Sequence, residues 1–126
     1  MTGSPKPKAS RRKAPGSSWD LARRFALALP GVEEGSCYGT PGLRVKGKFM
    51  ARLWEDGETL VVKLDFDRKE LLLAAEPDVF FTTDHYRGYP SVLVRLSKID
   101  PDALRGLLED AWRIAAPKRL LAAHGL

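Results

Sequence analysis

Leu43-Arg44-Val45-Lys46-Gly47-Lys48-Phe49-Met50-Ala51-Arg52-Leu53-Trp54-Glu55-Asp56-Gly57-Glu58-Thr59-Leu60-Val61-Val62-Lys63-Leu64 is the stretch that decides the fold. It reads as a meander of three strands, 43–45, 49–54 and 59–64, because short runs rich in β-branched and aromatic residues are separated by glycine-containing turn signals. Asp56-Gly57 predicts a two-residue hairpin turn. That turn sets Trp54 opposite Thr59, Leu53 opposite Leu60, Arg52 opposite Val61 and Ala51 opposite Val62. Leu53, Leu60, Ala51, Val62, Phe49 and Leu64 then share one apolar face. To match it, the first connection is expected to be a three-residue loop, Lys46-Gly47-Lys48, placing Val45 opposite Phe49 and Leu43 opposite Ala51. The other face carries Arg44, Met50, Arg52, Trp54, Thr59, Val61 and Lys63. Three cations with a Trp and no acid suit phosphate or stacked bases. The same residues equally suit an ordinary solvated face whose aliphatic stems cover Trp54 and Val61.

Upstream, Ser17 with Asp20 three residues on predicts a helix start. Trp19, Ala22, Phe25, Ala26 and Leu29 follow helical spacing, and Pro30-Gly31 ends the helix. Val32 to Gly42 reads as irregular, with Glu33 and Glu34 solvated. Downstream, Asp65 or Asp67 caps a short helix through about Ala75, and Pro77 ends it. Strands are expected at Asp78–Phe81 and Val92–Leu96. Asp100-Pro101 supplies an N-cap followed by Pro at the first helical position. Leu104, Leu107, Leu108, Ala111, Trp112 and Ala115 form the core stripe of that last long helix. Lys118 to His124 adds a final turn or short helix. The resulting order is α-β-β-β-α-β-β-α, an α+β fold with a single antiparallel sheet and helices on one face.

The loop Thr82-Thr83-Asp84-His85-Tyr86-Arg87-Gly88-Tyr89-Pro90 holds the densest set of polar and aromatic groups in the chain. Gly88 and Pro90 disfavour regular structure there, and a loop held between two strands is where function is commonly displayed. Such a loop can also be a purely structural connection. Asp84 and His85 are adjacent and would point apart on an extended chain. Glu33 and Glu34 share no face either. No phosphate-cradling glycine loop, nucleophile elbow or metal-ligand spacing occurs. A single cysteine, Cys37, and two histidines give no zinc pattern and no internal disulfide. The expectation is therefore a non-enzymatic protein without cofactor or metal, monomeric, in a reducing cytoplasm. No apolar run approaches the roughly 20 residues a membrane span needs.

The net charge of +5 is unevenly distributed. Lys6, Lys8, Arg11, Arg12 and Lys13 stand in residues 1–16 without an acid. That leaves 16 of the 21 Lys and Arg against 16 Asp and Glu, so the remainder is formally neutral. Residues 1–16, rich in Pro, Ser and Gly, are expected to be a disordered basic tail able to act as a polyelectrolyte arm or a solubilising segment. Residues 17–126 form one domain.

Several motifs resemble the MmcQ/YjbR family. They are Leu29-Pro30-Gly31-Val32, Tyr38-Gly39-Thr40-Pro41-Gly42 running on to Leu53, Phe80 to Pro90, Val92 to Leu96, and Ala111-Trp112-Arg113 with Ala116-Pro117-Lys118. The resemblance covers roughly residues 19–121. It implies an α-β(3)-α-β(2)-α fold, similar to secretion chaperones, and DNA binding through two wings. Here the wings would be the Lys46-Gly47-Lys48 hairpin and either the Glu55–Glu58 hairpin or the Thr83–Tyr89 loop. On that reading Arg44, Lys46, Lys48, Arg52 and Arg87 contact phosphates, with Thr83 in the second wing, and His85, Tyr86 and Tyr89 stack or hydrogen-bond. Where the family pattern carries Trp after Gly-Tyr-Pro, this chain has Ser91. A protein partner, suggested by the chaperone-like fold, and a small ligand beneath the 82–90 loop are the competing readings.

Overall fold

A computed structural model describes residues 16–124; apart from Gly16, the expected basic tail lies outside them. The elements in chain order are α1 (Trp19–Leu27), β1 (Val32–Cys37), β2 (Thr40–Val45), β3 (Lys48–Leu53), β4 (Thr59–Lys63), α2 (Phe66–Ala75), β5 (Phe80–Phe81), β6 (Ser91–Arg95), a 3-10 turn (Leu96–Lys98), α3 (Pro101–Ala115) and α4 (Lys118–Ala123). The six strands form one antiparallel sheet in the order β1-β2-β3-β4-β6-β5. The α+β class and single sheet are as the sequence predicts.

The helix boundaries follow local chemistry. The Ser18 side chain, rather than Ser17, accepts the Leu21 N–H and caps α1. Ser17 instead donates its backbone N–H to Leu96 O (2.7 Å) and its hydroxyl to Ile99 O (2.8 Å), anchoring the chain entry beside the end of β6. Asp65 caps α2 and Asp100 caps α3. The predicted stripe of α3, from Leu104 through Ala115, is buried. It packs with Ala22 and Ala26 of α1 onto Leu43, Val45, Met50, Ala51, Leu60, Val62, Val92 and Val94. Trp112 donates its indole N–H to Pro30 O at 2.7 Å, satisfying the one polar atom that aromatic brings into the core.

The strand layout departs from the prediction in four places. Val32–Cys37 is an edge strand rather than irregular chain; it pairs along its whole length with β2, from Val32 opposite Val45 to Cys37 opposite Thr40. Its turn, Tyr38-Gly39, has both residues at positive φ (57° and 82°), the pattern of a two-residue primed hairpin turn. The next hairpin also turns on two residues, Lys46 and Gly47 at φ 50° and 85°, and Val45 faces Lys48. A β-bulge then restores the pattern. Arg44 pairs with Phe49 but Leu43 pairs with Ala51, so Met50 is the extra residue. The bulge turns Met50 into the core and Phe49 onto the opposite face, the reverse of what strict alternation predicts. The β3–β4 register matches the prediction at Ala51–Val62, Arg52–Val61 and Leu53–Leu60. Its connection is a longer one, however. Gly57 N–H returns to Trp54 O (3.0 Å), and the Asp56 carboxylate accepts from the Glu58 and Thr59 N–H groups and the Thr59 hydroxyl.

Candidate functional site

The sheet face away from α1 and α3 is built around one lateral row. Register places Gly42, Arg52, Val61, Leu93 and Phe81 side by side across β2, β3, β4, β6 and β5. Val61 and Leu93 are fully buried yet lie outside the helix-side core. Their cover is the Arg52 side chain, the aromatic pair Trp54–Phe81 (edge-on, 6.1 Å) and the 82–90 loop. Gly42 is required for a steric reason: a Cβ there would lie 2.4 Å from the Cβ of Cys37.

Arg52 organises this face. Only 5% exposed, it donates from Nη1 to Thr40 Oγ1 (3.2 Å), Leu53 O (3.3 Å) and Glu55 Oε2 (3.2 Å), and from Nη2 to Tyr86 Oη (2.6 Å) and Glu55 Oε1 (3.5 Å). Burial opposes its charge, but the hydrogen bonds it donates to Tyr86 and Glu55 outweigh burial and hold its pKa above the ordinary value. It is thus committed to the protein and is not a free phosphate contact.

The loop is pinned from beneath by a residue with no special signal in the sequence. Lys69 of α2 is 3% exposed, and its ammonium donates to the carbonyls of Tyr86 (2.8 Å), Tyr89 (2.8 Å) and Arg87 (3.4 Å). Burial lowers its pKa, and its hydrogen-bond partners are carbonyls rather than a carboxylate. Two successive turns, Tyr86 N–H to Thr83 O and Tyr89 N–H to Tyr86 O (both 3.0 Å), coil the loop. The coil brings His85, Tyr86 and Tyr89 together. The His85 ring stands edge-on to Tyr86 at 4.7 Å and lies 5.6 Å from Tyr89.

Between this ring cluster and the first two hairpins lies a cleft of about 540 Å³. Its walls are Tyr38 from the β1–β2 turn, Phe49 from the bulged strand, Arg52 with Glu55, Lys63 at the end of β4, and His85, Tyr86, Tyr89, Pro90 and Ser91. Lys63 pairs laterally with Ser91, where a short side chain leaves the space open. Among the described residues Lys63 makes no salt bridge. Tyr38 is 83% exposed, and the Arg52 guanidinium sits 5.5 Å from its ring centre.

The residues expected to form a composite interface are thus divided. Arg52, His85, Tyr86 and Tyr89 line one cleft. Arg44 does not join them; it donates to Ser36 O (3.1 Å) and Cys37 Sγ (3.5 Å). Lys48 faces the helix side, because its cross-strand partner Val45 is in the core. Lys46 runs beside Gly31, and its N–H donates to Gly31 O at 3.3 Å. Thr83 is half-buried at the loop's first turn. Arg87 is exposed and paired with Asp84 at 3.0 Å. Lys46, Lys48 and Arg87 are thus not among the residues that line the cleft. Alternation is the reason: one bulge decides which side of the sheet each hairpin residue faces.

Asp84 and His85 do not act as a pair. Asp84 turns to Arg87 while His85 turns to the aromatic rings. Cys37 is buried against Arg44, without a hydrogen bond to a base among the described residues. No His, Cys, Asp and Glu cluster suited to a metal occurs among the described residues.

The YjbR family model matches residues 27–114. The chain belongs to the YjbR family. Uncharacterized proteins Rv2570 and MT2646 of Mycobacterium tuberculosis are each 51% identical to it over 55 residues, 44% of this chain and 43% of theirs. The chain spans less than half the length of the curated relatives it matches. A crystal structure of Deinococcus radiodurans protein DR2400, a DUF419 domain, superposes with a TM-score of 0.72 at 23% identity, covering 90% of this chain and 92% of that one. That likeness carries the fold of this YjbR domain. No helix among its described residues is long and apolar enough to cross a membrane.

Proposed function

We propose that this YjbR domain is a non-catalytic nucleic-acid-binding module that receives one unstacked nucleotide in its aromatic cleft, instead of gripping a duplex with its hairpins. One observation carries the reading: Tyr38, Phe49, His85, Tyr86 and Tyr89 converge with Lys63 around a single cleft of about 540 Å³. Aromatic side chains on a sheet face hold splayed bases by stacking, which contributes roughly 1–3 kcal/mol per base. Lys63 supplies a cation for one phosphate. Duplex binding is less well supported, because Arg44 and Arg52 are engaged within the protein and Lys46 and Lys48 lie away from the cleft. The basic segment at residues 1–16 adds a sequence-independent arm.

Fluorescence anisotropy with labelled single-stranded and double-stranded DNA across a salt series tests this, on the full chain and on residues 17–126. The shorter protein is expected to prefer single strands, with a salt slope near that of about one phosphate, and the full chain to show a steeper slope. Duplex binding as tight as single-strand binding by residues 17–126, or no binding at low salt, rejects the proposal. A second reading, a free small-molecule ligand, is favoured by the formal neutrality of the body outside the tail. It predicts that a mononucleotide saturates the cleft as tightly as an oligonucleotide.

A further inference from the structure

The cleft has two unlike ends. At one, Lys63 and Ser91 sit side by side at the mouth formed by β4 and β6. At the other stands Glu55, whose carboxylate is held by Arg52 (3.2 and 3.5 Å) and is still largely exposed to the cleft. Arg52 and Val61 share a lateral row, and Lys63 lies two residues further along β4, a step of roughly 6.6 Å. An anion entering the cleft is attracted to the Lys63 end and repelled from the Glu55 end. A carboxylate that lines a binding cleft and already has its cation can still accept hydrogen bonds through its remaining lone pairs.

Resting on the reading of the cleft as a nucleotide site, we infer that Glu55 reads the edge of the bound ring: the ligand carries adjacent amino and imino N–H donors facing Glu55 and a single anionic group facing Lys63. Among nucleotides this is guanosine monophosphate, whose N1–H and N2 amino group form a two-donor edge that a carboxylate accepts. Uracil and thymine present two carbonyl oxygens flanking one N–H and are repelled. Adenine and cytosine, with one amino group each, fall between. The backbone N–H of Glu55 and the hydrogen bond from Arg52 lower the Glu55 pKa, so the acceptor stays ionised at neutral pH. Tyr38, with its ring beside Arg52, closes the same end from above.

Isothermal titration of the full chain with the guanosine, adenosine, cytidine and uridine 5′-monophosphates is the test. Guanosine monophosphate is expected to bind about tenfold more tightly than uridine monophosphate, the discrimination of one good two-bond edge contact. Glu55→Gln should bring the two to within about twofold, guanosine monophosphate binding more weakly and uridine monophosphate binding at least as tightly as in the parent, a pattern that misfolding would not produce. Lys63→Ala should weaken all four alike. Equal affinities in the parent chain, or a preference that survives Glu55→Gln, overturns the inference. If no mononucleotide binds but a single-stranded oligonucleotide does, the inference falls and the binding reading stands. If neither binds, both fall.

Discussion

The two faces of the sheet are covered in opposite ways. The helix side is an apolar contact between α1, α3 and every strand from β2 to β6, in which polar groups are few and satisfied, as Trp112 is by Pro30. The other side is closed by a nine-residue loop held through directional bonds: Arg52 to Tyr86, and Lys69 to three carbonyls. The first kind of cover is non-directional and tolerates chemistry poorly. The second leaves a cleft, because a loop pinned at a few points does not fill the space beside it. Apolar packing is thus concentrated on one side of a single sheet and the cleft opens on the other.

Substitutions on each side should separate these roles, and the largest effect belongs to the helix side. Leu104 is fully buried in α3 against the sheet. Leu104→Ala is expected to lower unfolding free energy by about 2–5 kcal/mol, through lost burial and the cavity left behind. Urea denaturation measures this. Amide exchange in the 82–90 loop should stay close to its parent value relative to the global opening rate. Preferential loosening of that loop would mean the two faces are not independent.

Lys69 tests the other side. Its target carbonyls at Tyr86 and Tyr89 each keep a backbone donor, from Tyr89 and Ser91 respectively. The lowered pKa shows that the carbonyl bonds do not fully offset burial of the charge. Lys69→Met should therefore lower global stability by only about 1.5–2 kcal/mol, the low end of the range for a hydrogen bond to a charged group. Exchange at residues 86–91 should rise far more than elsewhere. The pH dependence has a definite sign. Between the depressed folded pKa and the ordinary 10.5, the unfolded chain binds more protons, so the Lys69 contribution makes stability rise with pH. A parent-minus-Lys69→Met difference that falls through that window contradicts the assignment.

How much of this is legible in the sequence depends on whether the cause is local. Asp100-Pro101 and the spacing from Leu104 to Ala115 predict α3, and the alternation through 51–62 predicts the β3–β4 register, because cap and stripe are written in neighbouring residues. The strand at Val32–Cys37 is not legible: Glu33, Glu34, Gly35 and Ser36 carry no apolar alternation, and their strand geometry comes from pairing with β2. The Met50 bulge is likewise a joint property of two strands. Alternation alone assigns Phe49 to the core, and so hides one wall of the cleft. In the loop, density of chemistry points to His85, Tyr86 and Tyr89. Nothing marks Lys69 in the sequence, because its burial is created by a loop arriving 17 to 20 residues later. Tyr38 carries a readable signal in hindsight of geometry: a residue before Gly between pairing strands is a primed-turn position, irrespective of side-chain type.

The Asp56 turn gives a smaller effect of the opposite pH sign. Burial opposes the charge of Asp56, but bonds from the Thr59 hydroxyl and the Glu58 and Thr59 N–H groups outweigh it and lower its pKa below 3.8. Its contribution is present above the unfolded value and is lost as pH falls through the folded one. Asp56→Ala should lower stability at neutral pH by about 1 kcal/mol, as for loss of a helix cap. The difference from the parent should shrink below pH about 3.8. A difference that is constant down to acid pH would assign the effect to turn propensity instead of the carboxylate.

The smallest expected effect raises stability, and it tests whether the cleft side is shaped for binding. Tyr38 holds φ 57° at the first position of its turn, where Asn is favoured and a large side chain is strained by roughly 1 kcal/mol. Its compensation is the Arg52 guanidinium at 5.5 Å, an exposed cation–π contact of about 0.5 kcal/mol. The strain is larger than the contact, so Tyr38→Asn should stabilise the domain by roughly 0.5 kcal/mol. The same substitution removes one wall of the cleft and should weaken single-strand binding, whereas Leu104→Ala should leave it intact in the folded fraction. A neutral or destabilising Tyr38→Asn would show that Tyr38 makes a structural contact outweighing its backbone strain. A stabilising one, with binding lost, identifies a residue that the fold carries at a loss and the cleft requires.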